Sequence, residues 1–209
     1  MKYRSLVFDF DGTIADTFDE GLRIYNRIAQ DLNLRAVDEK EVTYLRSLSL
    51  NDSLNHLGIP KRLVPTILFR GKRMLKAKIP SLPLIKGMEE ALPKLRKDAE
   101  HFEILTSNSV ENAKLFLDTH RLAGVFTFIS STSKLTGKST YLRNILKRHN
   151  LAPEELIYIG DEIRDIKAAR KAGVASAAVG WGFNSSESLL ESNPDHFCDT
   201  PAQLIALLG

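Results

Sequence analysis

Asp9 and Asp11 stand two residues apart, directly after the apolar run Leu6-Val7-Phe8 and before Gly12-Thr13. The run is short and rich in residues that suit a buried strand. In an extended chain, residues two apart share a side, so both carboxylates would meet at a strand end. Two like charges there are costly unless a cation or a proton transfer needs them. The ordinary alternative is a solvated loop that uses aspartate as a turn residue. Three further fragments argue against it, because together they supply the missing parts of one phosphate site.

Thr106-Ser107-Asn108 ends a second apolar run and leads into a helical pattern. A hydroxyl beside free backbone N–H groups at a helix start makes an anion site, although taken alone the fragment reads rather as an ordinary helix cap. Lys138, in Thr136-Gly137-Lys138-Ser139-Thr140, opens a helix whose dipole would disfavour it, which points to a role in offsetting carboxylates and gripping a phosphate. Lys134 competes for that role. A nucleotide-binding loop is excluded, because the glycine required five positions before the Gly-Lys pair is Thr132. In Gly160-Asp161-Glu162-Ile163-Arg164-Asp165, Asp161 and Asp165 lie one helical turn apart and can face one point. Their hard oxygens suit Mg²⁺. Glu162 is expected to be exposed.

The elements that must carry these residues alternate. Strands are predicted at Leu6–Phe8, Phe102–Leu105, Val125–Ile129, Leu156–Ile159 and Val174–Val179. Helices are predicted at Gly87–Lys97, Ser109–His120, Lys138–His149 and Arg164–Ala172, with a short last one opened by Thr200-Pro201-Ala202-Gln203. Such alternation gives a parallel sheet with right-handed crossovers, whose ligands sit beyond the carboxyl ends of the strands. From Phe18 to about Pro83 the signals are helical only: Phe18–Leu32, Glu39–Leu48, Leu50–Leu57 and Lys61–Lys78. The expected organisation is therefore an α/β core, residues 1–15 and 83–209, with residues 16–82 inserted as a small helical domain.

The 209 residues, 43% of them hydrophobic, suffice for such a core. A net charge of +3, with no basic stripe interleaved with aromatics, argues against nucleic acid and is compatible with a small anion. Lys61, Arg62, Arg70, Lys72, Arg73, Lys76 and Lys78 are expected to form the solvated face of an inserted helix. The single cysteine, Cys198, excludes an internal disulfide and a cysteine-based zinc cluster. No run is long and apolar enough to span a bilayer and no signal-peptide pattern is present, so a cytoplasmic monomer or homodimer is expected.

The set Asp9-x-Asp11-Gly12-Thr13, Thr106-Ser107-Asn108, Lys138 and Gly160-Asp161-x-x-x-Asp165 resembles the haloacid dehalogenase superfamily of hydrolases. The helical insert after the first motif is similar to the cap of its phosphoglycolate phosphatase and β-phosphoglucomutase branch. Val179-Gly180-Trp181-Gly182-Phe183-Asn184 and Pro194-Asp195-His196-Phe197 look like the C-terminal part of phosphoglycolate phosphatase relatives. The resemblance implies a three-layer, Rossmann-like, doubly wound parallel sheet. It implies that Asp9 attacks phosphorus and that Asp11 protonates the leaving oxygen and then activates water. Thr106, Ser107, Asn108 and Lys138 would hold the phosphoryl oxygens. Mg²⁺ would be bound by Asp9, the main-chain carbonyl of Asp11, Asp161 and Asp165. Two positions depart from the pattern: Lys138 is followed by Ser139 rather than proline, and Glu162 stands where a small residue is frequent.

Asp11 chooses among the family's chemistries. The dehalogenase branch needs neither a second acid nor Mg²⁺, and the phosphonate-cleaving branch replaces this aspartate and uses a cap lysine. Hydrolysis of a small phosphate monoester is the expectation, with phosphoglycolate the leading substrate. A β-phosphoglucomutase-like phosphomutase and a non-catalytic phosphate sensor remain alternatives. Arg46 and the polar stretch Ser47–Asp52 are candidates for the leaving-group side.

Overall fold

The structure is a computed structural model that describes residues 2–132 and 137–209; Lys134 lies outside the described residues. Six strands form one parallel sheet: β1 Ser5–Phe8, β2 His101–Thr106, β3 Phe128–Ser131, β4 Leu156–Gly160, β5 Ala175–Val179 and β6 His196–Cys198. Their order is β3-β2-β1-β4-β5-β6. The order reverses at β1, which pairs with β2 on one side and β4 on the other, Phe8 lying opposite both Ile104 and Ile159. Ligands of open α/β sheets bind at such a reversal, beyond the strand ends.

Between β1 and β2 the described chain is helical: α1 Phe18–Asp31, α2 Val42–Ser47, α3 Leu50–His56, α4 Val64–Lys76 and α5 Met88–Asp98. Then come α6 Val110–Thr119, α7 Lys138–His149, α8 Ile163–Ala172, α9 Ser186–Glu191 and α10 Pro201–Leu208. Alternate strand residues face opposite helix layers. Leu6, Phe8, Ile104 and Ile159 pack with Leu92 of α5, Phe116 of α6 and Leu204 of α10. Val7, Leu105 and Tyr158 pack with Leu142 and Ile145 of α7 and Ala169 of α8. A sheet buried on both faces gives the parallel α/β sheet that the alternation predicts and the three layers that the resemblance implies.

The helices after β1 hold an apolar cluster of their own, in which Val37, Leu57 and Ile59 are backed by Tyr25, Leu45 and Ile67. The chain enters and leaves this segment side by side. Asp16 N donates to Pro83 O and Ile85 N to Ile14 O, each at 2.9 Å. Leu75, Ile79 and Leu82 nevertheless pack with the main core.

Some boundaries differ from the sequence expectation. β3 begins at Phe128, not Val125. Val125 closes a turn on Leu122 and buried Phe126 stacks on Phe102, so that apolar run supplies packing before it supplies a ladder. The Lys61–Lys78 helix starts as a 3₁₀ turn at Lys61–Leu63, and its basic residues are not all solvated: Arg70 pairs with Asp31 and Lys72 lines a cavity. The short β6 and α9 are additions. The Lys138 start of α7 is as expected; Ser109 caps α6, its side chain accepting from Asn112 N, and Gly173 ends α8 in the left-handed conformation. Among the described residues no helix is long and apolar enough to cross a membrane.

Candidate active site

Four strand ends converge at the reversal. Asp9 follows β1, its N–H continuing the ladder to Ile159 O at 2.8 Å. Gly12 then takes φ +77°, and a Cβ there would stand 2.2 Å from Asp161 Oδ2. The turn thus needs glycine for its handedness and for the close approach of the β4 end. Thr13 Oγ1 donates to Asp161 Oδ1 at 2.6 Å, and Phe183 N donates to Asp161 Oδ2 at 2.7 Å. The end of β1, the end of β4 and the loop after β5 are therefore joined through one carboxylate.

Lys138, buried at the first turn of α7, lies 2.7 Å from Asp9 Oδ2 and 2.6 Å from Asp165 Oδ1. The second oxygen of Asp165 accepts from Glu162 N at 3.1 Å. Burial opposes the charge on Lys138, yet Asp165 and Asp9 hold its ammonium above the ordinary lysine value. Burial also pushes the Asp9 carboxyl up to about 7, against the pull of Lys138 and with the help of Asp165. Asp161 is pushed well above the usual range, by burial and then by Glu162 and Asp9.

Asp11 is set apart. Its two oxygens each lie 3.2 Å from Asn108 Nδ2, and burial, partly offset by that hydrogen bond, raises it to about 6. Asn108 is itself fixed, its Oδ1 accepting from Ser109 N at 2.8 Å and Asn112 Nδ2 at 2.9 Å. Its side chain is thus turned to Asp11. Thr106 is buried, its Oγ1 accepting from Asn108 N at 2.9 Å with its own hydrogen left to donate. Ser107 lines a cavity of about 220 Å³ together with Asp11 and Asn108, roofed by Ile24 of α1 and by Ile67 and Lys72 of α4.

Asp9 thus differs from Asp161 and Asp165: its Oδ1 is buried and has no hydrogen-bond partner among the described residues. Asp9, Glu162 and Asp165 offer carboxylate oxygens that lie within 4.8 Å of one another. Hard carboxylate oxygens gathered this closely fit a small divalent cation. Glu162 corrects the sequence expectation: its side chain is 15% exposed and turned toward the acids, held by Arg164 Nη2 at 2.5 Å. Arg164 and Glu162 are the residues that sequence reasoning missed here; their only signal was a position within the Gly160–Asp165 motif.

Arg46 is spent elsewhere. Its Nη2 donates to Gly182 O at 2.6 Å and its Nε to Phe183 O at 3.2 Å. Its own carbonyl accepts from Ser185 N at 2.8 Å and Asn184 Nδ2 at 2.9 Å. It ties α2 to the loop whose Phe183 N–H holds Asp161, and does not line the cavity beside Asp11.

A family model described as haloacid dehalogenase-like hydrolase matches residues 6–179. The chain is 32% identical to the phosphoglycolate phosphatase of Synechococcus elongatus over 202 residues, 97% of this chain and 95% of that one. It is 27% identical to a phosphoglycolate phosphatase of Vibrio vulnificus, over 98% and 96% of the two chains. Its fold is similar to that of a haloacid dehalogenase-like family hydrolase of Streptococcus pneumoniae, with a TM-score of 0.82, 24% identity and coverage of 100% and 99%.

Proposed function

The chain belongs to the haloacid dehalogenase-like hydrolase family, and we propose that within it the protein is a Mg²⁺-dependent phosphatase of a small phosphorylated metabolite, acting through an aspartyl-phosphate. The observation that carries this reading is Asp9 Oδ1, the buried carboxylate oxygen without a partner among the described residues, where the strand order reverses. It attacks phosphorus, the Asp9 O–P bond forming as the bond to the leaving oxygen breaks. Asp11, raised to about 6 and held by Asn108, gives its proton to that leaving oxygen. Asp11 then takes a proton from water, which attacks the same phosphorus and releases inorganic phosphate. Lys138, Thr106 and the Ser107–Asn108 turn bind the phosphoryl oxygens.

Asp9, Glu162 and Asp165, with Asp161 beside them and the Asp11 carbonyl, would hold Mg²⁺. When bound, it neutralises charge on the transferred group. Residues 16–82 act as a cap that covers the site and selects the leaving group. The roof of the Asp11 cavity is apolar apart from Lys72 and suits a compact ester that carries one negative charge. Phosphoglycolate, on which the relatives in Synechococcus and Vibrio are named to act, is the leading substrate.

A panel of phosphorylated metabolites, assayed for phosphate release with Mg²⁺ and with EDTA, tests this. The expected result is hydrolysis of a small carboxylate-bearing ester that EDTA abolishes and that Asp9→Asn removes. Turnover retained by Asp9→Asn would refute the mechanism, and a wild-type chain that releases no phosphate from any ester would refute the activity.

A further inference from the structure

Arg164 lies in the first turn of α8, next to Asp165. Among the described residues only its Nη2 is engaged, by Glu162 Oε1. Nε and Nη1 are shielded from solvent and have no acceptor among the described residues. A guanidinium carries five N–H donors and no acceptor, so three of its hydrogens lie buried without a partner. Leaving buried donors unmade is expensive, and natural chains rarely do so without a reason. The guanidinium also stands close enough to Asp9, Asp11 and Asp165 to act on the charge of each, yet none accepts from it. Beside it a cavity of about 290 Å³ is lined by Lys138, Glu162 and Lys167, with Ser49 and Asn51 from the inserted segment across it.

Lys138 cannot meet a phosphoryl group alone. It has three N–H donors, and Asp9 and Asp165 already take two. A phosphoryl group brings further negative charge to a site where acids outnumber cations, and planar arginine suits phosphate oxygens better than a point charge does.

We propose that Arg164 binds the transferred phosphoryl group directly, as a second cation beside Lys138, while Glu162 positions it through Nη2. This rests on the reading that the phosphoryl group passes to Asp9. The substrate is the acceptor that the free donors lack, and the acids remain available to metal and nucleophile.

Calorimetric titration of inorganic phosphate, with and without Mg²⁺, tests the assignment in the wild type, Arg164→Lys, Arg164→Gln and a remote control, Lys147→Gln, at an exposed position in the last turn of α7. Turnover of p-nitrophenyl phosphate is followed in parallel. Both Arg164 variants should bind phosphate roughly 10- to 100-fold more weakly, the scale of lost charge-assisted hydrogen bonds. Lys147→Gln should match the wild type. If Arg164→Lys keeps the wild-type phosphate affinity, Arg164 is a plain counter-charge and the inference falls. Should Arg164→Gln melt before assay, the lysine variant decides, since it keeps the charge and loses only the planar donor set. A wild-type chain that neither binds phosphate nor hydrolyses the aryl ester would defeat the phosphatase reading, whereas one that does both while Arg164→Lys does equally well would defeat this proposal alone.

Discussion

At the strand ends both oxygens of Asp161 and both of Asp165 are taken by donors, and Lys138 ties Asp9 to Asp165. Across the gap, the roof that α1 and α4 turn toward Asp11 is Ile24, Ile28, Ile67 and Leu75, and Lys72 there makes no hydrogen bond or ion pair among the described residues. One side has its acids anchored before any ligand arrives, with Asp9 Oδ1 and the Nε and Nη1 of Arg164 left without partners among the described residues. The other leaves its charge unspent. Converging buried acids are tolerable only when their partners are fixed in advance, so they sit on strand ends and first helical turns, which cannot move independently of the core. A surface that reads a leaving group has no such debt and can stay open. The contrast predicts large, substrate-independent losses on the strand-end side and small, substrate-dependent ones opposite.

Lys138→Ala should show the largest effect. It leaves Asp9 and Asp165 buried beside each other without their shared cation, which costs about 3–5 kcal/mol for a broken buried pair. Thermal unfolding should shift down accordingly, and turnover of every ester should fall together. A variant that kept its melting temperature and lost activity on one ester only would erase the distinction between the two regions.

A pH series sharpens it. The Asp9 and Asp11 carboxyls sit at about 7 and about 6, both above the ordinary 3.8. The metal-free folded chain therefore binds more protons than the unfolded chain across this window. The stability these groups contribute is fullest below about 4 and declines as pH rises to about 7. Lys138, held above its ordinary value by Asp165 and Asp9 despite burial, keeps its contribution throughout that window. The decline in melting temperature between pH 5 and pH 7.5 should be shallower in Asp9→Asn than in the wild type. Mg²⁺ competes with those protons, so it should stabilise the wild type more at pH 7.5 than at pH 5. An equal Mg²⁺ shift at both pH values would mean that the ion binds away from Asp9.

What could be read from the sequence follows the same division. Asp9, Asp11, Thr106, Lys138, Asp161 and Asp165 each end an apolar strand run or open a helix, and strand ends on one rim of a parallel sheet must meet. Their types and order were enough. Glu162 and Arg164 were not legible, because in the first turn of α8 spacing alone allows either side chain to face water or the acids; the rotamer decides, and spacing does not encode it. β6 was missed because His196–Cys198 is too short and mixed for a period to show. Lys72 shares its charge and spacing with the outward-facing basic residues of α4, so sequence alone cannot separate it from them, whereas the helix turns only part of that set outward.

On the open side, Lys72→Gln should lower kcat/KM for a carboxylate-bearing ester about 10-fold, the scale of one charge-assisted contact, while p-nitrophenyl phosphate turnover stays within about twofold of wild type. Parallel loss on both esters would place Lys72 with the strand-end machinery instead.

The smallest effect is expected at Arg46, which belongs to neither side. Its guanidinium is bonded to the Gly182 and Phe183 carbonyls and lies 5.1 Å from the Phe18 ring, so it has little freedom left to address a leaving group. Phe183 N–H in turn holds Asp161 Oδ2. If Arg46 acts through that loop, Arg46→Ala should reduce kcat for all esters by the same modest factor, about 3- to 10-fold, the net scale of one ordinary hydrogen bond, because Arg46 is felt only through the loop. Their ranking by kcat/KM should not change, and the melting temperature should drop slightly. If Arg46 instead reads the leaving group, KM should rise for some esters and not others. The ratio of kcat/KM between a carboxylate ester and p-nitrophenyl phosphate, measured in wild type, Arg46→Ala and Lys72→Gln, separates the two. Lys72→Gln should move it and Arg46→Ala should leave it where it was, because a residue that positions Asp161 affects a step all substrates share.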